Sequence, residues 1–515
     1  MRKKTLIIGW DGAPYDKISA WVREGHLKNL KKLISSGTFG PLKTTELTIS
    51  SCAWTTMVTG KNPGKHGIYD FFGTKFLGDS YFREPINSKW RRSKTFWHYM
   101  NKYGYRVGVV NIPVTYPAEK INGFIVSGML APSVNSPGFT YPPNLLKNYP
   151  RIREYRIDIE GAKHLDREKF IYEINKTIEE RYNLFKYLLK NEDVDLFFGV
   201  FTSGDRFSHY MWHFFDPYHP YRKNESNNDI KKYENSLLEL YKKLDEYLGD
   251  LIDIFGADNT MVVSDHGFAS VYKYFEFNKW LKQKGYLAFK PKEKWEPFKH
   301  EKLNPKRIYI YGKVDWNKTV AYMIGKRGTV YINLKGREPK GIVEKNEYED
   351  IVEELIREIK NIRDPETGEI IVEDALPRDE IFFGPYLNEA PDIIIFFKDK
   401  YASIGYIIDL ESDNLFLIND NPELELEMGV ERYDGIFLSY GSDYKKGRIK
   451  DAWIGDIAPT ILHTYGIPKP ADMDGKILDI FYDNFSCEYK KIELTPYEKQ
   501  KLKEIKKYSK LHKSG

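Results

Sequence analysis

The 515-residue chain predicts a doubly wound α/β protein, a mostly parallel sheet with helices on both faces and an inserted smaller α+β lobe. Three observations carry this reading. Short apolar runs at 5–9, 105–111, 195–202 and 260–264 alternate with amphipathic stretches of helical length, 166–190 and 229–255 among them. Asp11, Asp205 and Asp265 each fall just past such a run, where functional groups of α/β sheets gather. Between about 275 and 389 the alternation gives way to shorter strand-like pieces.

Taken in order, residues 5–9 stop at Trp10-Asp11-Gly12, as a buried parallel strand does at its first polar residue. Apolar residues at helical spacing follow over 27–33 and end near Gly37. Next comes Thr48-Ile49-Ser50-Ser51-Cys52-Ala53-Trp54-Thr55-Thr56-Met57-Val58-Thr59-Gly60, which opens on hydroxyl residues and stops at Gly60 and Pro63. Small polar residues before an amphipathic turn mark a helix N-terminus, where free N–H groups and the helix dipole favour an anion. A serine held there is placed to attack phosphorus; an ordinary capping serine is the alternative. A helix at 94–102 leads to strands 105–111 and 123–127 and a Pro-rich loop through Pro143.

The long helix 166–190 feeds strand 195–202, and a second, 229–255, feeds strand 260–264. Strand-like pieces at 308–311, 320–324 and 329–334 and a helix at 347–362 make up the lobe. The α/β pattern resumes with 392–397 and 435–439, followed by a helix at 455–465. Thr495-Pro496-Tyr497-Glu498 then starts a charged C-terminal helix. The expected division is 1–274 with 390–485 as the catalytic domain, 275–389 as the lobe and 486–515 as a helical tail.

Hydrophobic content of 41% with 30% charged residues describes a globular chain, and a net +5 spread over 79 basic and 74 acidic residues is no footprint for a nucleic-acid duplex. Cys52 and Cys487 are too few and too far apart for a disulfide framework or a cysteine zinc site, so the expectation is cytoplasmic. The apolar run after Lys4 is too short for a signal peptide, and no stretch approaches the ~20 apolar residues of a membrane span.

Four clusters carry the chemistry: Asp11, Ser50, Gly204-Asp205-Arg206-Phe207-Ser208-His209 and Ser264-Asp265-His266-Gly267. Asp with His suits Zn²⁺ or Mn²⁺, and carboxylates also accept Mg²⁺. The (i, i+4) spacing of Asp205 and His209 puts both on one face of a helix. Three carboxylates gathered at one sheet edge repel one another unless cations sit among them.

In these motifs the chain resembles the type I phosphodiesterase/nucleotide pyrophosphatase family of the alkaline phosphatase superfamily. Leu6-Ile7-Ile8-Gly9-Trp10-Asp11-Gly12-Ala13 resembles the family's first metal motif, and residues 53–68 its nucleophile motif. Asp205 to His209 and Ser264 to Phe268 are similar to the next two, and further likeness runs through Val314-Asp315-Trp316, residues 331–339 and Met473-Asp474-Gly475. The resemblance implies an alkaline-phosphatase-like fold and two divalent metal ions, zinc or manganese and alternatively magnesium. Asp11, Ser50, Asp265 and His266 would hold one ion, and Asp205 and His209 would begin the second site. Ser50 would form a covalent phosphoseryl or nucleotidyl intermediate that water hydrolyses; Ser51 is its rival, since the register of a Ser-Ser pair is uncertain by one. Lys65 and Arg206 would neutralise phosphate charge, with an exposed cation as the alternative for each.

Two positions depart from the family pattern. Ala53 stands where nucleotide pyrophosphatases carry an asparagine, and Glu431, in Gly429-Val430-Glu431-Arg432, stands where the family has its last histidine ligand. A carboxylate there still ligates and favours harder ions such as Mn²⁺ or Mg²⁺; the alternative is a surface salt bridge and a weakened second site. His463, on an apolar helix, reads as a core or capping residue. A sulfatase is disfavoured, because Cys52-Ala53-Trp54-Thr55-Thr56 lacks the Cys/Ser-x-Pro-x-Arg pattern. The expected function is hydrolysis of a phosphodiester or pyrophosphate bond in a small phosphorylated substrate such as a nucleotide or nucleotide sugar. The alternatives are a phosphomonoesterase or phosphomutase on the same scaffold, or a catalytically weakened phosphate-ligand binder.

Overall fold

The computed structural model describes residues 3–485 apart from 78–79, 150–153, 160, 297–306, 311 and 326. Cys487 and the helix expected from Thr495 lie outside the described residues. The central strands are β1 (Thr5–Trp10), β2 (Thr38–Lys43), β3 (Val107–Val110), β4 (Gly123–Val126), β5 (Leu196–Phe201), β6 (Asn259–Val263) and β7 (Asp434–Gly441). They lie in the order β2-β7-β6-β1-β5-β3-β4. Strands β6, β1, β5, β3 and β4 are parallel, while β7 runs antiparallel to β6 and β2. Every residue of β1 is buried, as a strand covered on both faces requires.

The helices that matter to the site are α1 (Ser50–Thr59), α2 (Arg167–Asn191), α3 (Ser203–Met211) and α4 (Ser236–Phe255). Alternate residues of β1 point into different cores. Leu6, Ile8 and Trp10 join the core formed with α2 and α4, and Ile7 joins the one formed with Trp54 of α1 and Ile461 of the helix Ile457–Thr464. Register then does what composition alone does not. Trp10 is level with Phe201 and Gly9 with Val263, so the loops beginning at Asp11, Thr202 and Ser264 leave the sheet side by side.

Several elements differ from the sequence expectation. The segment 229–255 is two helices, Asn227–Tyr233 and α4, the first capped by the Ser226 hydroxyl accepting from the Asp229 N–H. The run at 392–397 forms a strand, Ile393–Phe397, which pairs with Thr329–Ile332 and Val372–Pro377 in a separate four-stranded sheet and not with the central one. Its uniformly apolar sequence suits either sheet, so the pattern names the strand but not its partner. The piece expected at 308–311 is a single bridge from Ile308 to Ile407, with Tyr311 outside the described residues. Two unanticipated strands matter: Gly267–Glu276 and Gly429–Arg432 pair antiparallel, with Phe268 level with Glu431. At the seam, Phe382, Ala390 and Ile394 pack with Leu47, Ile49 and Cys52 ahead of and within the first turn of α1.

Candidate metal centre

Ser50 is the first residue of α1, and extended Ile49 is the N-cap without any side-chain cap bond. The Ser50 hydroxyl is therefore not used in closing its helix. It is buried, with Oγ 3.2 Å from His266 Nε2. Ser51 Oγ is also buried but, among the described residues, has no hydrogen-bond partner, so of the two serines Ser50 is the one in contact with the cluster.

Asp11 is held from α1: Trp54 Nε1 donates to its Oδ2 at 2.9 Å. Gly12 has φ +68°, and a Cβ there would lie 2.9 Å from Asp205 Cα, so glycine is what lets the loops after β1 and β5 touch. The Gly12 N–H donates to Asp265 Oδ1 at 3.2 Å and the Ala13 N–H to Ser264 Oγ at 2.9 Å. His266 Nε2 lies 3.2 Å from Asp265 Oδ2 and 3.8 Å from both Asp11 Oδ1 and Asp205 Oδ1. On α3 the helical spacing brings His209 Nε2 to 3.3 Å from Asp205 Oδ1, with Glu431 Oε1 at 3.6 Å from the same nitrogen. Asp11, Asp205 and His266 form one ligand-competent triad and Asp205, His209 and Glu431 another, the ligand atoms of each lying within 4.8 Å of one another. Asp205 belongs to both, and all five side chains are buried.

Both histidines are turned as metal ligands are. His266 Nδ1 is 3.0 Å from the Gly267 carbonyl and His209 Nδ1 is 3.2 Å from that of Gly429, so each Nδ1–H donates outward and each Nε2 faces the carboxylates. The acids are under strain as they stand. Burial, then the charges of Asp265 and Asp205, push Asp11 well above the carboxylate range; burial and Asp205 do the same to Asp265. Burial also raises Asp205, but His209, His266 and Arg206 outweigh it and bring it to about 2. Burial lowers His209, and Asp205, Glu427 and Glu431 overcome that and lift it to about 9. Asp11 Oδ1 and Asp265 Oδ2 are buried and accept no hydrogen bond among the described residues. Convergent carboxylate oxygens without donors, next to two inward imidazole nitrogens, fit divalent cations.

The expected phosphate cations are placed otherwise. Lys65 follows the far end of α1, a helix with a rise of about 15 Å, and its Nζ pairs with Asp474 and lies 3.2 Å from the Asp472 carbonyl. Arg206 Nε donates to Asp158 Oδ1 at 3.1 Å, and its Nη2 reaches the other oxygen of that carboxylate. Neither is brought among the ligands as a free cation. His463 packs its ring on Phe481 and Phe485. His66 is buried, with Nε2 2.9 Å from Thr56 Oγ1 and Nδ1 accepting the Ile68 N–H; burial, Arg91 and Lys61 lower it to about 3. Sequence reasoning missed Trp54, whose place four residues after Ser50 was a usable signal. It also missed Glu427 and Arg327, for which the sequence offered none.

A serine beside buried Asp, His and Glu that could hold metal ions, at the carboxyl edge of such a sheet, is the arrangement of a phosphoric ester hydrolase with an alkaline-phosphatase-like fold. The family model of type I phosphodiesterase/nucleotide pyrophosphatase matches residues 5–414, and the chain belongs to that family. No curated protein matches it. Among solved structures, phosphonoacetate hydrolase from Sinorhizobium meliloti 1021, in complex with phosphonoformate, shares the fold at TM-score 0.53 and 14% identity, over 89% of this chain and 94% of that one. Human ectonucleotide pyrophosphatase/phosphodiesterase 5 matches at TM-score 0.48 and 13% identity, over 92% of this chain and 97% of that one. The murine protein in complex with AMP matches at 0.46 and 13%, over 93% and 96%. Among the described residues no helix is long and apolar enough to cross a membrane.

Proposed function

We propose that the chain hydrolyses a phosphodiester or pyrophosphate bond through a covalent phosphoseryl or nucleotidyl enzyme, with Ser50 as the nucleophile. The observation that carries this is the buried Ser50 Oγ, 3.2 Å from His266 Nε2, at the rim of two triads that share Asp205. Asp11, Ser50, Asp265 and His266 would hold one divalent ion and Asp205, His209 and Glu431 a second, Zn²⁺ or Mn²⁺ with Mg²⁺ as the third choice. Such ions supply Lewis-acid polarisation and charge neutralisation at the attacking and leaving oxygens.

The chain supplies the rest. Trp54 and the Gly12 N–H orient two carboxylates, and the Gly267 and Gly429 carbonyls set both imidazole tautomers. The open N–H groups in the first turn of α1 suit a non-bridging phosphoryl oxygen. Ser50 Oγ loses its proton and bonds to phosphorus as the bond to the leaving oxygen breaks, and that oxygen takes up a proton. Water then bonds to phosphorus as the P–Oγ bond breaks, returning one proton to Oγ. The lobe at 275–389 would border the site and set substrate choice, a reading supported by the contact of Arg327 with Glu431.

The test is metal analysis with a panel of diesters, pyrophosphates and monoesters assayed with Mn²⁺, Zn²⁺ and Mg²⁺. Two ions per chain with turnover of diesters or pyrophosphates is the expected result. Turnover confined to monoesters would give the scaffold to a phosphomonoesterase or phosphomutase. One observation favours a weakened phosphate-ligand binder: Arg327 already engages one oxygen of Glu431. Absence of bound metal and of turnover would decide for it.

A further inference from the structure

We propose that Arg327 is the anion anchor of the site, donating to an anionic oxygen of the bound phosphoryl group from the lobe side. This rests on the reading of the centre as one for phosphoryl transfer. Arg327 has φ +148°, a region that side-chain-bearing residues rarely enter, in the turn between the strands Ala321–Met323 and Thr329–Ile332. Gly325 and Gly328, both at positive φ, flank it. The turn is pinned: the Gly328 N–H donates to Ser403 Oγ at 3.1 Å, and the Gly328 carbonyl accepts from the Ile395 N–H at 2.9 Å. A strained backbone pinned at Gly328 carries the Arg327 side chain toward the acid cluster.

The guanidinium pairs through Nη2 with Glu431 Oε2, while Nη1 lies 4.0 Å from Glu427 Oε2. These two carboxylates flank His209, at 3.6 Å from Nε2 and 3.7 Å from Nδ1 respectively. Arg327 is thus in direct contact with one carboxylate of the second triad. Among the described residues it makes no further ion pair or hydrogen bond, and its side chain is 16% exposed. Its remaining N–H donors are therefore left, among the described residues, for an anionic oxygen.

Charge leads to the same assignment. Asp11, Asp205, Asp265, Glu427 and Glu431 place five carboxylates in one connected network. Two divalent ions would offset four of those charges, leaving one for Arg327. The neighbouring Arg206 and Arg432 each face a carboxylate outside this network, Asp158 and Asp399 respectively. Without Arg327 the five carboxylates would outweigh two divalent ions by one charge, which disfavours an incoming anion.

The test uses the full chain and two calorimetric titrations, Mn²⁺ into the metal-free protein and inorganic phosphate into the Mn²⁺-loaded protein, for wild type, Arg327→Gln and Arg327→Lys. Arg327→Gln is expected to weaken phosphate binding tenfold or more, and Arg327→Lys to recover part of the loss. Mn²⁺ stoichiometry is expected to be unchanged, with affinity equal or tighter because a repelling cation is gone. Phosphate affinity equal to wild type in Arg327→Gln would overturn the inference while leaving the phosphoryl-transfer reading in place. Loss of a Mn²⁺ equivalent in both variants would also overturn it, making Arg327 a strut for Glu431. A loaded wild type that binds no phosphate would bring down the functional reading, and the inference with it.

Discussion

Replacing Ser50 and Ser51 separately by alanine tests the chemistry and the register together. Ser50→Ala removes an oxygen 3.2 Å from His266 Nε2 that plays no part in capping α1. The structural loss is one neutral hydrogen bond, about 1 kcal/mol, so the variant should fold and bind metal nearly as wild type does. The catalytic loss should be several orders of magnitude, at least ~10⁴-fold in kcat, because the atom proposed to form the covalent bond is gone. Ser51→Ala deletes a buried oxygen with no hydrogen-bond partner. Removing an unsatisfied buried hydroxyl is neutral or slightly stabilising, and activity should stay within about threefold. The assay is steady-state hydrolysis of a chromogenic aryl phosphodiester with metal content measured on the same samples, supported by mass spectrometry for a phosphorylated Ser50 peptide after acid quenching. Ser50→Ala keeping a tenth of wild-type activity, or Ser51→Ala losing all of it, would refute the assignment.

Three further outcomes are expected. His66 is buried neutral, and its folded-state value of about 3 lies below the unfolded value of 6.5; its contribution is complete above 6.5 and is lost as pH falls toward 3. Between pH 6.5 and 5 that loss is about 2 kcal/mol, which urea denaturation should show in wild type and not in His66→Gln; equal slopes in both would sink it. Glu431→Ala should lose one equivalent of bound metal and Glu431→His should keep it while shifting preference from Mn²⁺ toward Zn²⁺; unchanged stoichiometry and preference in both would mean Glu431 is not a ligand. Lys65→Ala, which removes the partner of Asp474, should lower the melting temperature and leave KM for the diester unchanged, whereas a tenfold rise in KM would return Lys65 to the substrate.

The parts of this protein that were legible in the chain are those with a local cause. Apolar runs with an acid at or just beyond their ends made β1, β5 and β6 readable, because a doubly covered strand stays largely apolar until it leaves the sheet. The (i, i+4) pair Asp205 and His209 was readable because helical spacing alone puts them together. What needed the tertiary structure was every relation between distant segments. The strand Ile393–Phe397 has the same apolar signature as β1 yet pairs in the lobe, since a period carries no address. Lys65 and Arg206 read as phosphate cations, but a lysine or arginine goes to the carboxylate nearest in space, here Asp474 and Asp158. Glu431 comes level with Phe268 through the pairing of two strands that carry no alternating pattern. Arg327, from a turn more than a hundred residues away in the chain, meets it only in the tertiary structure. Local periodicity was enough to put the acids and the serine at the ends of their elements; which of them meet, and which cation pairs with Glu431, is set by long-range packing, which leaves no mark on the residues concerned.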